Sequence, residues 1–274
     1  MCGDAISSVG TWYDGAAPAA DAPSWDAVAA GFLGCGYRVP FPYRPGFVTP
    51  LDHAEEQAQR VADTFGARCD GSAWEALRGL LARRGPGWTG VRVVGGWSYG
   101  LDRSFGPPWT RAHTGLAVRA GVPVIRAITL PWVRDTRSPT ASLPMISGLA
   151  DAQASALLAS RGADVGLWTD RAGEVVTTTA GALLLWRDGR WAAPRADVGA
   201  GASWPWVVLR DVLSAQHARV THAELLASRC VAFVSPLGNL GVAAALDDQP
   251  LVVDESRRDE LAAAQGHLLP EHSS

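Results

Sequence analysis

The feature that most constrains the fold is a series of short apolar segments between Val165 and Pro194, separated by turn residues. Val165–Thr169, Val175–Thr179 and Leu183–Arg187 each have the length and the apolar content of a β-strand. Asp170-Arg-Ala-Gly173 separates the first two segments, and Asp188-Gly189 is a typical two-residue hairpin turn. This part of the chain therefore predicts consecutive antiparallel strands.

Helical patterns lie on both sides of these strands. Ala150–Arg161 precedes them and ends at Gly162, a residue that often closes a helix in the left-handed conformation. Pro205–Gln216 follows them as a second predicted helix, and strands at Val231–Ser235 and Val242–Leu246 come later. The second half of the chain is therefore predicted to mix helices with a sheet.

The first half is predicted to contain a strand at Gly31–Val39, which ends at the following prolines, and helices at Leu51–Phe65 and Ser72–Arg84. Residues 134–144 contain two prolines and four hydroxyl residues, which is typical of a linker. The predicted fold class is α+β. We expect a smaller N-terminal α/β domain at 1–133, a linker at 134–144 and a larger C-terminal domain at 145–274.

Composition excludes several classes of partner. The net charge is −3, which favours neither a nucleic acid nor an anionic membrane as the partner. The N-terminus lacks the pattern of a signal peptide, and the apolar stretches are too short to span a bilayer. We therefore expect a soluble, cytoplasmic protein.

The side chains available for covalent chemistry are limited. The four cysteines (Cys2, Cys35, Cys69 and Cys230) are widely spaced, which favours free thiols over a zinc site. All 24 basic residues are arginines, so the chain contains no lysine. No side-chain ε-amino group is available to form a Schiff base with a carbonyl compound.

The order of residues from Gly166 to Pro194 resembles the class IV aminotransferase family. This is the fold-type IV group that includes branched-chain and D-amino-acid aminotransferases and aminodeoxychorismate lyase. The flanking segments agree with the resemblance at Leu157–Gly162, Leu209–Leu213 and Val231–Ser235, and more weakly at Gly36–Val39. The resemblance implies a two-domain α+β subunit, a homodimer, and pyridoxal phosphate bound between the domains.

The positions that match the family's cofactor contacts have changed. The Schiff-base lysine matches Pro144, and the glutamate that keeps the pyridine nitrogen protonated matches Thr177. The phosphate-binding arginine matches Glu56, the Gly-Ile-Thr turn at a helix N-terminus matches Val207–Leu209, and a second phosphate contact matches Leu237. Each replacement removes a charge or a donor that the cofactor requires. We therefore predict that the protein uses no pyridoxal phosphate and no other cofactor.

Arginines are candidates to bind a substrate, because the family's substrates carry carboxylates. Arg92 lies before a loop rich in glycine and aromatic residues, and Arg137 lies in the linker. Tyr99 and Arg103 lie in that loop, which we predict to act as a lid over a ligand. The alternative is that each arginine forms a surface or interdomain salt bridge and does not bind substrate.

Polar residues near the vacated cofactor positions are candidates for catalysis. Cys35, on the opening strand, is a possible nucleophile, and Thr177 and Thr178 offer hydroxyl groups. Ser235 and Asn239 are predicted to lie near the former phosphate position and to bind substrate. These residues predict a lyase, hydrolase or cyclase of specialised biosynthesis that acts on a small carboxylate metabolite by acid–base chemistry.

Two other functions stay open. The apolar residues Val207–Leu209 and Leu237 favour a filled pocket, and therefore a catalytically inactive binding or scaffolding homologue. The N-terminal Met1-Cys2-Gly3 also permits an amidohydrolase in which Cys2 becomes the nucleophile after removal of Met1.

Overall fold

A computed structural model describes residues 36–69, 71–84, 87–99, 105–119, 121–138, 143, 148–195 and 203–269. The chain divides into two units. The first comprises Met1–Val118 and Leu143–Gly148, and the second comprises Arg119–Ser142 and Leu149–Ser274.

The first unit contains a three-stranded antiparallel sheet in the order β1-β2-β3. The strands are β1 (Gly36–Tyr43), β2 (Thr89–Tyr99) and β3 (Phe105–Leu116). Strand β1 was predicted to end before Pro40, but it continues through Pro40 and Pro42. Proline is tolerated there because β1 is an edge strand, so one side of its backbone needs no ladder partner.

The segment after Val94 was predicted to be a loop, and this prediction was wrong for most of its length. Gly95 and Gly96 pair with Thr110 and Trp109, so β2 and β3 form a long antiparallel ladder. Glycine has a low intrinsic preference for strands, but pairing with a neighbour on each side compensates for it. The predicted lid is therefore largely sheet, with residues 100–104 outside the described part of the structure.

Among the described residues of the first unit, two helices accompany the sheet, α1 (Thr49–Thr64) and α2 (Gly71–Leu81), close to the predicted positions. Their apolar residues pack with the sheet into one core that contains the fully buried Trp74 and Phe41. Arg78 of α2 forms ion pairs with Asp52 and Glu55 of α1. The two helices are therefore joined by packing and by this partly exposed ion-pair cluster.

A nine-stranded mixed sheet forms the second unit, in the order β6-β5-β4-β11-β10-β7-β8-β9, with β12 beside β11. Strand β4 is parallel to β5 and to β11, β8 is parallel to β9, and the other pairs are antiparallel. The strands are β4 (Val124–Val133), β5 (Val165–Thr169), β6 (Val175–Thr178), β7 (Ala182–Arg187), β8 (Arg190–Pro194), β9 (Gln216–Ala218), β10 (Cys230–Val234), β11 (Leu240–Leu246) and β12 (Gln249–Pro250).

Four helices accompany this sheet: α3 (Gly148–Arg161), α4 (Trp204–Val212), α5 (His222–Ala227) and α6 (Glu255–Leu268). Gly162 closes α3 at φ +58°, as predicted, and Asp188 and Gly189 have φ of +51° and +75°. Positive φ at both turn residues is required by the tightest type of hairpin, which explains why Asp-Gly occurs there. The local turn predictions are therefore confirmed.

Strand β4 belongs to the second unit, although the sequence analysis assigned residues 119–133 to the first domain. Its parallel pairing with β5 and with β11 determines this membership. One set of buried residues in the unit forms a large core that includes Leu185 and Val231, and another forms a smaller core around Leu130 and Trp168. The linker at 134–144 stays a prediction, because much of it lies outside the described residues.

Within the described ranges, no helix is long and apolar enough to cross a membrane.

Candidate functional site

Strand β6 and the turn after it carry the three consecutive threonines. The Thr178 hydroxyl donates to the Gly181 carbonyl oxygen at 2.9 Å and accepts from the Gly181 N–H at 3.0 Å. The Thr179 hydroxyl accepts from the Gly166 N–H at 2.9 Å. These bonds satisfy backbone groups of the β6–β7 turn and of β5, so both hydroxyls have a structural role.

Thr177 differs from its two neighbours. It lies directly opposite Trp168 of β5 and is only 7% exposed. Among the described residues, its hydroxyl has no hydrogen-bond partner. Unlike the hydroxyls of Thr178 and Thr179, it does not bond to nearby backbone, which makes Thr177 the most informative of the predicted catalytic residues.

An aromatic pair lies beside Thr177. The rings of Trp132 (β4) and Trp168 (β5) are 6.3 Å apart between centroids, with 37° between their planes. Trp168 is buried with Leu130, Ala154 and Val176, whereas Trp132 is 37% exposed. The pair therefore offers solvent an open aromatic surface on a rigid support.

Arg134 follows β4, two residues beyond Trp132. Its backbone N–H donates to the Thr169 carbonyl oxygen at 2.7 Å, which extends the β4–β5 ladder. Burial lowers the pKa of the Arg134 guanidinium, and the nearby Asp151 carboxylate of α3 partly opposes this. We refer to Trp132, Arg134, Trp168 and Thr177 together as the Trp132 face.

The turn between β10 and β11 contains Ser235 and Asn239, both predicted to bind substrate. The Ser235 hydroxyl accepts from the N–H groups of Leu237 at 3.3 Å and Asn239 at 3.1 Å. The Asn239 side-chain oxygen accepts from the Arg119 N–H at 2.7 Å. The buried Gln265 donates to the Gly238 carbonyl oxygen at 2.9 Å, so the turn is firmly held by α6.

The predicted match of Val207–Leu209 to a phosphate-binding helix terminus was wrong. Helix α4 begins at Trp204, with Ser203 as its N-cap, so Val207–Leu209 lie inside the helix. The N–H group of Val207, for example, donates to the Ser203 carbonyl oxygen at 3.1 Å, as in a regular helix. The N-terminal turn itself contains Pro205, which has no N–H to offer an anion.

The other predicted site residues lie on separate elements of the two units. Arg92 lies on β2 of the first unit, opposite Pro40, and is partly buried. Arg137 is 79% exposed, and its guanidinium lies 3.7 Å from the Asp135 carboxylate. Tyr99 ends β2, but its side chain lies outside the described part of the structure.

Three further predicted positions, Cys35, Arg103 and Pro144, also lie outside the described residues. Cys230 is fully buried, and burial, reinforced by the Asp254 carboxylate, raises the pKa of its thiol from 9.0 to about 12. A thiol of that pKa is not a nucleophile near neutral pH. Within the described part of the chain, no three His, Cys, Asp or Glu side chains are grouped to hold a metal ion.

Sequence reasoning missed Trp132, Trp168 and Arg134. Two tryptophans near strand ends were a possible signal, because a large ring at the open end of a sheet commonly contacts a ligand. The choice between Arg134 and Arg137 could not be made from the sequence, because it depends on which guanidinium the fold buries.

Comparison with known proteins was informative only at the level of structure. No protein-family model matches the chain, and no curated protein sequence matches it. A branched-chain aminotransferase from Thermoproteus uzoniensis, solved with norvaline, superposes with a TM-score of 0.77 at 18% identity, covering 94% of each chain. The fold IV transaminase CpuTA1 from Curtobacterium pusillum gives a TM-score of 0.73 at 18% identity, covering 92% of this chain and 91% of that one.

A protein described as a 4-amino-4-deoxychorismate lyase from Legionella pneumophila is similar to the same degree. Its TM-score is 0.73 at 19% identity, with 90% of this chain and 96% of that one covered. The predicted α+β fold class and the resemblance to the fold-type IV aminotransferases are therefore confirmed. The chain has the α+β fold of the fold-type IV aminotransferases.

Proposed function

We propose that this chain is an aminotransferase-fold protein that works without pyridoxal phosphate and binds a small carboxylate on its Trp132 face. The observation that carries the first part is the absence of lysine from all 274 residues. Without an ε-amino group, the chain has no side chain to hold the cofactor as a Schiff base.

The environment of Thr177 supports this proposal. When bound in its family's enzymes, pyridoxal phosphate acts as an electron sink, which depends on a protonated pyridine nitrogen. By resemblance, Thr177 occupies the position of the carboxylate that keeps this nitrogen protonated. Thr177 is neutral and buried, so it cannot supply a negative charge there. The residue present does not fit the cofactor.

The turn between β10 and β11 also fits a phosphate poorly. The N–H groups of Leu237 and Asn239 donate to the Ser235 hydroxyl, and the Gly238 N–H donates to the Ser235 carbonyl oxygen. Donors that are already committed within the turn are not available to an anion. By resemblance, Leu237 also replaces a hydroxyl that contacts phosphate.

The composition of the Trp132 face supports the second part of the proposal. Trp132 and Trp168 provide aromatic surface, and Arg134 provides a charged donor two residues from Trp132. Most of a small ligand's contact area is apolar, whereas one or a few polar groups determine its orientation. The ligand favoured here is a small molecule with an apolar or aromatic part and one carboxylate.

A lyase, hydrolase or cyclase reaction in specialised biosynthesis remains part of the proposal, with the Thr177 hydroxyl as the candidate catalytic group of the Trp132 face. Catalysis by Cys35 depends on a residue outside the described range. The hydroxyls of Thr178 and Ser235 already bond to backbone groups and are not available for catalysis. This favours the alternative, a binding protein without catalytic activity. By resemblance, we also propose a cytoplasmic homodimer.

The absorbance spectrum tests the loss of the cofactor. We expect that the purified protein, incubated with excess pyridoxal phosphate and then dialysed, retains no stoichiometric chromophore. Borohydride treatment before dialysis is expected to attach no phosphopyridoxyl group to any internal peptide, as measured by mass spectrometry. A stoichiometric chromophore that survives dialysis would show that the protein holds the cofactor noncovalently, and the proposal would be wrong.

Replacing Arg134 tests the carboxylate site. We expect Arg134→Gln to weaken the binding of an aromatic carboxylate such as phenylacetate by about 10-fold or more, because a charged hydrogen bond contributes about 1.5–3 kcal/mol. The measurement is a titration followed by tryptophan fluorescence. The matched control is Arg137→Gln, three residues further on and 79% exposed, which should change the affinity by less than about twofold.

Equal affinities in the two variants would remove Arg134 from the site. Phenylethanol, which has no carboxylate, is the ligand control. It should bind the wild type and Arg134→Gln equally, so that a loss of apolar contact is distinguished from a loss of the charged bond.

A further inference from the structure

A cavity of about 720 Å³ lies in the second unit, at the end of the β7–β8 hairpin. Three arginines line it: Arg187 at the end of β7, Arg229 just before β10, and Arg257 in the first turn of α6. Its volume is within the range of about 300–1,000 Å³ that is usual for small-molecule sites. The cavity shares no residue with the Trp132 face.

Two of these arginines lie at the ends of neighbouring strands. Cys230 pairs with Trp186 in the antiparallel ladder of β10 and β7, and the Arg229 N–H donates to the Trp186 carbonyl oxygen at 3.2 Å. Arg229 directly precedes β10 and Arg187 ends β7, and both side chains line the same cavity.

Two of the three carboxylates that line the cavity, Glu224 and Asp254, already accept from other donors, and the third, Asp188, lies in the β7–β8 turn. Glu224 accepts from the Thr221 N–H at 2.7 Å and hydroxyl at 2.9 Å, and it forms an ion pair with Arg187. Asp254 caps α6 by accepting from the Arg257 N–H at 3.3 Å. Partial burial would raise the pKa of Glu224, but the bonds from Thr221 and Arg187 lower it below its usual value.

Donors, in contrast, remain in excess. Among the described residues, the Arg187 guanidinium contacts an acceptor only through Nη1, which pairs with the Glu224 carboxylate. The Arg187 side chain is 27% exposed. Arg229 is 74% exposed, and its closest carboxylate oxygen, on Asp254, is 3.5 Å away. A guanidinium has five N–H donors, so among the described residues most donors of this pair have no protein acceptor.

Arg257 forms a fixed wall of the cavity. Its guanidinium lies 4.3 Å from the centre of the Trp186 ring, with Nη1 2.5 Å from a Glu260 carboxylate oxygen and Nη2 3.1 Å from the Ser256 hydroxyl. Because these contacts hold Arg257 in place, the cavity has a rigid, positively charged side next to an aromatic ring.

We propose that this cavity is a binding site for a small oxyanion, a phosphate or carboxylate group, that bridges Arg187 and Arg229. The anion accepts hydrogen bonds from the uncommitted N–H groups of both arginines. Bidentate contacts of this kind are the usual way in which arginine recognises both groups. The cavity has room for the rest of a small metabolite beyond the anionic group.

Isothermal titration calorimetry with inorganic phosphate and with malonate, at constant ionic strength in chloride, tests the site. We expect saturable binding of one or both anions, with a dissociation constant on the order of 1 mM. Preference for phosphate would indicate a phosphorylated ligand, and preference for malonate a carboxylate ligand. The Arg229→Gln variant is expected to weaken binding about 10-fold or more.

Arg171→Gln is the matched control, because it removes an exposed arginine on the β5–β6 turn that is not part of the cavity. It should leave the affinity unchanged. Arg229 is mostly exposed, so its replacement should not disturb folding, which circular dichroism verifies. The proposal is overturned if neither anion binds saturably, or if Arg229→Gln and Arg187→Gln both bind as tightly as the wild type.

Discussion

Replacement of Gly181 by alanine is expected to destabilise the second unit by about 3 kcal/mol or more. Gly181 ends the β6–β7 turn with φ +136°, a conformation that side-chain-bearing residues rarely adopt. A Cβ atom there would lie 2.4 Å from the Val234 carbonyl oxygen and 3.1 Å from Pro236 Cδ. The obstructing oxygen belongs to the backbone of β10. Because β10 pairs with a strand on each side, this oxygen cannot move without disturbing the sheet.

Gly189→Ala provides the matched control for this effect. Gly189 also has a positive φ, +75°, but a Cβ atom there would meet nothing within 4 Å. We expect it to cost only about 1–2 kcal/mol, the conformational term alone. Urea unfolding measures both values, and hydrogen exchange of the β10 amides localises the loss. Equal costs in the two variants would refute the steric explanation.

Replacement of Gln265 by leucine is expected to cost about 2–4 kcal/mol. Gln265 is 4% exposed, and its amide donates to the carbonyl oxygens of Arg119 and Gly238, at 2.9 Å each. Its side-chain oxygen accepts from the Gly121 N–H at 2.8 Å. Leucine has a similar size but would leave these backbone groups without partners, and buried groups without partners are costly.

The control for this variant is Gln216→Leu, at an exposed position on β9. It should change the free energy of unfolding by less than about 0.5 kcal/mol. Because Gln265 joins α6 to the Ser235–Asn239 turn, we also expect faster hydrogen exchange at Asn239 in Gln265→Leu. If exchange there is unchanged, the turn does not depend on α6 for its stability.

Much of the second unit could be predicted from local sequence. The turn at Asp188-Gly189 and the helix end at Gly162 have positive φ, and only a few residue types adopt that conformation easily. Strands β5, β6 and β7 alternate with such turns, so their positions followed within a residue or two. The fold class followed from the same pattern.

Long-range pairing decided what local sequence could not. Strand β4 joins the second unit because it pairs with β11, which lies more than a hundred residues later in the chain. The prolines of β1 and the glycines of β2 are poor strand formers. The prolines are tolerated because β1 is an edge strand, and the glycines because β2 pairs with a strand on each side. Signals from neighbouring residues carry no information about such partners.

The absence of a side-chain amine for an internal Schiff base was determined by the sequence alone, since no fold can supply a lysine that the chain lacks. Which polar groups remain free for a ligand was decided only by the tertiary structure. Thr178 and Ser235 bond to nearby backbone, whereas Thr177 faces Trp168 and has no partner among the described residues. Three similar hydroxyls in one sequence thus differ in role, because hydrogen-bond acceptors and burial depend on residues brought together by folding.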